Sequence, residues 1–283
     1  MKITKSIAET RAAARALKLS GKKLGLVPTM GALHDGHLSL VQLAKQQCDA
    51  VAASIFVNPK QFGPNEDFTK YPRSSERDRE MLEEEGVELL FAPSVEEMYP
   101  SGSTTFVNVE GLSERLDGVS RPGHFRGVAT VVSKLFHIVE PDKAFFGQKD
   151  AAQVAIIKRM VHDLDLPVEI VVGPIVREPD GLAMSSRNAY LDAKQRKEAL
   201  VLSRALKRVE ASIREGEVDT NQLTNAAKRI FAEEPEVRVD YIAVVDPDTL
   251  DPINDVANGA LIAVAAYLGS TRLIDNVVIS ARK

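Results

Sequence analysis

Apolar stretches alternate with amphipathic stretches along the first 175 residues of the chain. Unbroken apolar runs are typical of strands in a parallel sheet that helices cover on both faces. Such runs lie at residues 24–27, 50–57, 87–91, 144–146 and 168–172. Apolar positions at helical spacing lie between them, at residues 6–20, 37–48, 74–85, 128–139 and 150–164. The alternation predicts an α/β fold with a doubly wound parallel sheet, in which ligands bind beyond the carboxyl ends of the strands.

The pattern changes after residue 176. Two helical stretches, 193–214 and 220–234, come first, and strand-like runs follow at 238–245, 259–268 and 276–280. Helices followed by strands are typical of an α+β unit. We therefore predict two domains, one over residues 1–175 and a smaller one over residues 176–283. The sequence has no internal repeat and no long linker, so we expect the two domains to be closely joined.

Composition limits the classes of function. Hydrophobic residues make up 44% of the 283 residues, charged residues make up 27%, and the net charge is -4 with both signs interspersed. This balance argues against a general nucleic-acid surface. The single cysteine, Cys48, lies in an apolar helical pattern, which favours a buried thiol in a reducing compartment. Without a signal-like N-terminus or an apolar run long enough to cross a bilayer, we expect a cytoplasmic protein.

The strongest chemical signal is the corner segment, residues 28–37, with the sequence Pro28-Thr29-Met30-Gly31-Ala32-Leu33-His34-Asp35-Gly36-His37. It leads from a predicted strand into a predicted helix. Backbone N–H groups at a helix N-terminus attract anions, and glycine lets a ligand approach the chain closely. The two imidazoles add hydrogen-bond donors and, when protonated, positive charge. The segment predicts binding of a nucleotide phosphate, although a chelating histidine pair and two surface histidines remain open interpretations.

Five further blocks accompany the corner segment over nearly the whole chain. They are Phe56-Val57-Asn58-Pro59-Lys60-Gln61-Phe62, Arg121-Pro122-Gly123-His124-Phe125-Arg126-Gly127-Val128, Phe146-Gly147-Gln148-Lys149-Asp150, Met184-Ser185-Ser186-Arg187-Asn188 and Thr271-Arg272-Leu273-Ile274-Asp275-Asn276. In order and spacing this set resembles the pantothenate synthetase family, which carries the HxGH signature of the nucleotidyltransferase superfamily. One departure is Ala151-Ala152, where the family has an aromatic residue and a glutamine, which puts the packing around the acid site in question.

The resemblance implies a Rossmann-like first domain, a smaller domain that closes over the ATP site, and a two-step reaction. The carboxylate of pantoate would attack the α-phosphate of ATP, giving pantoyl adenylate and pyrophosphate. The amine of β-alanine would then attack the acyl carbon and release AMP. An anion that meets a polyanion requires charge neutralisation and alignment more than proton transfer. Mg²⁺ on the phosphate oxygens is the expected helper, without a metal site built from protein side chains.

The resemblance also implies roles for single residues. His37, His34, Lys149 and Arg187 are the expected catalytic residues. The resemblance implies that His37 is a proton donor, whereas we interpret it chiefly as a stabiliser of charge on the reacting phosphate. Asp150 is expected at a ribose hydroxyl, although it could instead, or in addition, cap a helix. The full set of expected ATP contacts is Met30, Gly31, Ala32, Leu33, His34, Asp35, Gly36, His37, Gly147, Gln148, Lys149, Asp150, Val176, Met184, Ser185, Ser186 and Arg187.

Pantoate and β-alanine are expected at neutral hydrogen-bonding side chains. Gln61 and Gln153 are the main candidates because they lie inside or next to the matched blocks, and Asn58 and Tyr71 are weaker ones. The resemblance implies a homodimer, to which the apolar residues 123–139 could contribute. The expected partners are therefore the three small substrates and a second copy of the chain, with no nucleic acid and no membrane.

Two other functions stay open at this point. One is a nucleotidyltransferase with the same signature that stops after nucleotide transfer, and the other is a module that binds ATP without turnover. A tRNA-charging enzyme lacks support because no basic RNA-binding appendage is evident. Residues 177–188, which contain Gly181, are expected to close over bound ATP.

Overall fold

A six-stranded parallel sheet forms the first part of the computed structural model, which describes residues 1–64, 66 and 68–281. Its strands are β1 (Lys2–Thr4), β2 (Leu24–Thr29), β3 (Ala50–Ile55), β4 (Leu89–Phe91), β5 (Lys143–Gly147) and β6 (Glu169–Gly173). They lie in the order β1-β4-β3-β2-β5-β6, and each adjacent pair is parallel. The predicted α/β class is confirmed. The short edge strand β1 was not predicted, because three residues carry too little pattern.

Helices cover both faces of this sheet. They are α1 (Ile7–Leu19), α2 (Asp35–Gln47), α3 (Ser75–Glu84), α4 (Val95–Met98), α5 (Asp117–Ser120), α6 (His124–Val139) and α7 (Ala151–Asp163). Side chains of α1, α6 and α7 pack in one apolar cluster, and those of α2 and α3 pack in another. The strands contribute to both clusters by alternation, so that Leu26 faces the first cluster and Val27 the second. No helix in the described ranges is both long and apolar enough to cross a membrane.

Helix α6 lies in the interior of the molecule. Twelve of its 16 residues are buried, in keeping with a helix that is apolar on most of its circumference. The helix starts four residues before the predicted one, after Gly123 in the left-handed conformation. The apolar residues 123–139, expected to contribute to a subunit contact, are instead mostly buried inside the chain's own core. A contribution of this segment to a subunit contact stays a prediction, limited to its few exposed side chains.

The remaining chain forms helices α8 (Ala193–Glu198), α9 (Leu200–Arg214) and α10 (Thr220–Phe231) and an antiparallel sheet in the order β7-β8-β9. The strands of this sheet are β7 (Arg238–Val245), β8 (Ala260–Leu268) and β9 (Thr271–Ile279). Both faces of β8 are covered: Leu261 and Ala263 pack on the core of the parallel sheet, whereas their neighbour Ile262 packs on α9 and α10. The antiparallel sheet therefore lies between the core of the parallel sheet and helices α9 and α10. Strand β9 begins five residues earlier than the strand predicted at 276–280.

The strand order determines where a ligand can bind. From β2 the chain moves to β3 on one side, and it later adds β5 on the other side of β2. In a parallel sheet this reversal opens a crevice at the carboxyl ends of the two central strands. The corner segment follows β2 and residues 148–153 follow β5, so two of the predicted blocks meet at that crevice.

Candidate active site

A cleft of about 220 Å³ opens at the carboxyl ends of β2, β3, β5 and β6. Its wall contains most of the residues that the sequence singled out. From the corner segment and the loop after β3, these are Met30, His34, Gly36, His37, Gln61 and Tyr71. From the opposite side they are Gly147, Lys149, Asp150, Gln153, Val176, Met184, Ser185, Ser186 and Arg187. The fold thus brings together blocks that are far apart in the sequence.

Six other predicted residues do not line this cleft; they are Gly31, Ala32, Leu33, Asp35, Gln148 and Asn58. Gly31, Ala32 and Leu33 form the turn behind the two histidines, and the Leu33 side chain belongs to the apolar cluster below α2. The Gln148 side chain turns toward strand β9, where its Nε2 donates to Asn276 Oδ1 at 3.1 Å. Direct contacts of these side chains with ATP or pantoate therefore remain predictions.

The turn of the corner segment is held by a residue that sequence reasoning missed. Gly31 and Ala32 both have positive φ, +84° and +50°. The two carboxylate oxygens of Asp78 on α3 accept the backbone N–H groups of Ala32 and Leu33, each at 2.8 Å. Asp78 is 1% exposed. The sequence around Asp78 does not indicate that this side chain is buried, because the residue lies in a strongly charged helix whose other charged residues face solvent.

Both histidines of the signature accept a hydrogen bond at Nδ1. His34 caps helix α2 and accepts from the Gly36 N–H at 3.1 Å, while His37 accepts from the His34 N–H at 3.4 Å. A neutral imidazole that accepts at one nitrogen carries its proton on the other, so the hydrogen bonds assign the Nε2–H tautomer to both rings. The rings lie with centroids 4.1 Å apart.

Burial decides the charge of these rings. It lowers the pKa of His37 to about 3, with a further contribution from the neighbouring His34, and it lowers the pKa of His34 to about 4. Both side chains are therefore neutral near pH 7 in the unliganded protein. The imidazoles therefore add no positive charge to the corner segment near pH 7, and they offer two Nε2–H donors.

The side-chain amide of Gln61 is held at both its nitrogen and its oxygen. Its Nε2 lies 3.3 Å from the Met30 sulfur, and its Oε1 accepts from Asn58 Nδ2 at 3.1 Å. Asn58 is 1% exposed, and its Oδ1 accepts from the Lys60 N–H and the Tyr99 hydroxyl. Asn58 thus positions Gln61 from behind.

A half-buried histidine holds the main chain of Gln61. His124 Nδ1 lies 2.8 Å from the Gln61 carbonyl oxygen, and Arg121 donates from Nη1 to His124 Nε2 at 3.0 Å. Because Arg121 can only donate, His124 carries its proton on Nδ1 and donates it to Gln61. Arg121 in turn makes a bidentate pair with Glu66, at 2.7 and 2.8 Å. Burial, with a smaller contribution from Arg121, lowers the pKa of His124 to about 3, so this ring is neutral too.

The Ser185 loop, residues 184–188, reaches across the cleft to the corner segment. The Ser186 hydroxyl donates to the Ala32 carbonyl at 3.1 Å, and Ser185 Oγ accepts from the Arg187 N–H at 3.2 Å. The Arg187 guanidinium carbon lies 5.8 Å from the centre of the Tyr71 ring. Hydroxyls and a guanidinium on a loop beside two imidazole donors form a surface suited to phosphate oxygens.

Lys149 brings a second positive charge to the cleft. Its Nζ lies 3.8 Å from Asp150 Oδ1. Asp150 precedes helix α7, but within the described residues its carboxylate makes no capping hydrogen bond. The alternative role of Asp150 as a helix cap is therefore not observed.

The donor set does not suit a metal held by protein side chains. Each signature histidine uses Nδ1 for a backbone N–H, which leaves one nitrogen per ring. Among the residues that the structure describes, no group of three or more His, Cys, Asp or Glu side chains is placed to hold a metal ion. The chelating-pair interpretation lacks a third ligand.

Comparison with known proteins gives matches over the whole chain. A family model described as Pantoate-beta-alanine ligase matches residues 2–278. Pantothenate synthetases of Acidobacterium capsulatum and Koribacter versatilis are 62% and 59% identical, and each alignment covers 99% of this chain and 97% of the relative. A crystal structure of pantothenate synthetase from Thermus thermophilus superposes with a TM-score of 0.93 at 49% identity, covering 98% of this chain and 99% of that one.

A second solved structure was determined with ligands. It is the pantoate-beta-alanine ligase of Francisella tularensis, described as complexed with beta-gamma ATP and beta-alanine. It matches with a TM-score of 0.76 at 35% identity, over 98% of this chain and 97% of that one.

Proposed function

The chain belongs to the pantoate–β-alanine ligase family, and from this premise we propose how its cleft condenses pantoate with β-alanine at the expense of ATP. The reaction has two steps: pantoate and ATP give pantoyl adenylate and pyrophosphate, and β-alanine then displaces AMP to give pantothenate. A nucleotidyltransferase that stops after the first step, or an ATP-binding module without turnover, is not favoured, because the family match extends over both domains.

In the first step the triphosphate lies between the corner segment and the Ser185 loop. The Nε2–H groups of His34 and His37 donate to oxygens of the α-phosphate, where negative charge accumulates as the pantoate carboxylate attacks. Lys149 and Arg187 neutralise the β- and γ-phosphates, and the Ser185 and Ser186 hydroxyls donate to them. None of these groups has to accept or release a proton, which agrees with the low pKa of both imidazoles.

The acid and the amine occupy the floor of the cleft. Gln61 and Gln153 bind the hydroxyls and carboxylate of pantoate through neutral donors and acceptors, with Tyr71 on the wall beside them. Small alanines at 151 and 152 are buried on α7 and leave Gln153 facing the cleft. The β-alanine amine attacks the acyl carbon of the adenylate held there, the tetrahedral intermediate collapses, and the acyl–phosphate bond breaks to release AMP.

The nucleoside end is held by Asp150 and by the chain around Val176. The exposed Asp150 carboxylate suits a ribose hydroxyl, and the backbone of Val176 suits the adenine edge.

ATP enters as its Mg²⁺ complex, since Mg²⁺ binds through phosphate oxygens and water more readily than through protein ligands alone. The smaller domain carries the Ser185 loop and closes over the nucleotide. A homodimer and a cytoplasmic location complete the proposal; the single cysteine agrees with a reducing compartment.

The observation that carries the proposal is the arrangement of two neutral Nε2–H donors across a cleft from Lys149 and the Ser185 loop. The test is isotope exchange between labelled pyrophosphate and ATP with pantoate present and β-alanine absent. We expect exchange that depends on pantoate, followed by release of pantothenate and AMP in equal amounts when β-alanine is added. ATP binding without exchange would indicate a nucleotide sensor, and exchange without pantothenate would indicate a transferase.

A further inference from the structure

Strand β9 carries buried polar residues for which the reaction gives no role. Asp275 is 2% exposed and Asn276 is 3% exposed. Both lie in the last block that the sequence singled out, and neither lines the main cleft. Buried polar side chains are expensive unless their hydrogen bonds are satisfied, so the partners of these two residues indicate what they do.

Asn276 binds the turn that carries Lys149. Its Nδ2 donates to the carbonyl oxygens of Gln148 and Lys149, at 3.0 and 2.9 Å, and its Oδ1 accepts from Gln148 Nε2 at 3.1 Å. The turn 148–150 lies beyond the end of β5, outside the hydrogen bonding of the parallel sheet. The amide of Asn276 thus fixes the backbone from which the Lys149 side chain extends into the cleft.

Asp275 binds the base of the segment that carries the Ser185 loop. Both of its oxygens pair with Arg177, at 2.6 and 2.9 Å, and Arg177 Nη1 also donates to the Gly181 carbonyl. The segment folds back on itself, with an isolated bridge between Arg177 and Ala183 and a hydrogen bond from the Met184 N–H to the Val176 carbonyl at 3.0 Å. Through Arg177, Asp275 therefore sets the orientation of the Ser185 loop.

We propose that Asn276 and Asp275 are positioning residues that set the spacing between the two cationic groups of the triphosphate site. Two consecutive residues of one strand hold Lys149 on one side and the segment leading to Arg187 on the other. The smaller domain thereby aligns both halves of the site as one unit. This inference rests on the proposed function, since it assumes that Lys149 and Arg187 both bind the triphosphate.

The test is a double-mutant cycle on pantoate-dependent exchange between pyrophosphate and ATP. We expect Asn276→Ala to lower kcat/KM for ATP by about 10- to 100-fold, because a catalytic group displaced by about 1 Å, here Lys149, slows a reaction by about that factor. In a Lys149→Met background the same substitution lowers the rate by less than about threefold, because the group that it positions is already gone. Asp275→Asn behaves in the same way with Arg187→Met. This substitution is isosteric, so it provides the test if Asn276→Ala is too unstable to purify.

Thr220→Val is the matched control. Thr220 is buried in the same domain, and its hydroxyl donates to the Ile253 carbonyl at 3.0 Å, away from the cleft. Thr220→Val removes one comparable hydrogen bond and so destabilises the domain to a similar degree, but we expect the rate of exchange between pyrophosphate and ATP to stay unchanged. Equal losses from Asn276→Ala in both backgrounds, or no loss in either, would overturn the inference and leave the proposed function intact. Absence of exchange in the unmodified enzyme would instead contradict the proposed function.

Discussion

Replacing His37 by glutamine tests whether the imidazole acts as a neutral donor. The Nδ1 atom of His37 is occupied by the His34 N–H, so Nε2–H is the group left to face the phosphate. The amide nitrogen of a glutamine reaches about the position of Nε2, whereas that of an asparagine reaches about the position of Nδ1. Glutamine can therefore keep the donor, and asparagine and alanine cannot.

The magnitudes favour the neutral form. With a pKa of about 3, protonating His37 at pH 7 costs about 5 kcal/mol in the unliganded protein. One hydrogen bond to a developing charge stabilises a transition state by roughly 3–4 kcal/mol. The cost of charging the ring therefore exceeds what one such contact returns. We expect His37→Ala and His37→Asn to slow exchange by about 10²- to 10³-fold, and His37→Gln to recover at least about tenfold of that loss.

The assay is pantoate-dependent exchange at saturating ATP, measured over a range of about pH 5.5 to 8.5 that spans the ordinary pKa of histidine. Exchange by the His37→Gln variant should keep the pH dependence of the unmodified enzyme. If His37→Gln is as slow as His37→Ala, or if the unmodified enzyme alone shows an additional ionisation, His37 transfers a proton and the assignment of a neutral donor is wrong.

Three further predictions concern residues that support the cleft. Asp78→Asn turns an amide NH₂ toward a backbone N–H, and we expect a loss of about 1–3 kcal/mol in unfolding free energy, measured in urea, with slower exchange. Gly127→Ala places a Cβ in steric conflict with the Lys60 carbonyl, so the turn before Gln61 must shift; we expect KM for pantoate to rise by about tenfold or more, and an unchanged KM would contradict this. The unfolded state binds a proton at His124 near pH 6.5 and the folded state near pH 3, so stability falls as the pH drops below 6.5. Between about pH 7 and pH 5 this histidine lowers the free energy of unfolding by about 2 kcal/mol. In the His124→Asn variant, unfolding measured at the two pH values should not show this difference.

The predictable part of the molecule is the part with a local pattern. Buried strands such as β3 and amphipathic helices such as α10 were found within a few residues, since burial on a regular element imposes a period on the sequence. Element ends were less accurate. Helix α6 starts at His124 because Gly123 adopts a left-handed conformation, and no hydrophobic period marks that position.

The site divides in the same way. The two signature histidines and Lys149 could be predicted because they lie in short motifs whose residue types suit phosphate binding. Asp78 and Asn276 did not receive roles, because each acts on the backbone of a distant turn and the distance in sequence is 45 residues or more. The protonation state of the histidines could not be predicted from the sequence either, since it depends on burial and on which nitrogen accepts a hydrogen bond.

The most direct test of the central claim follows oxygen from pantoate to AMP. If the pantoate carboxylate attacks the α-phosphate, as the proposed reaction requires, a carboxylate labelled with ¹⁸O leaves one labelled oxygen in AMP after β-alanine displaces it. The account predicts AMP with one ¹⁸O and pantothenate that retains the other. Unlabelled AMP would contradict it, because no pantoyl adenylate would then have formed.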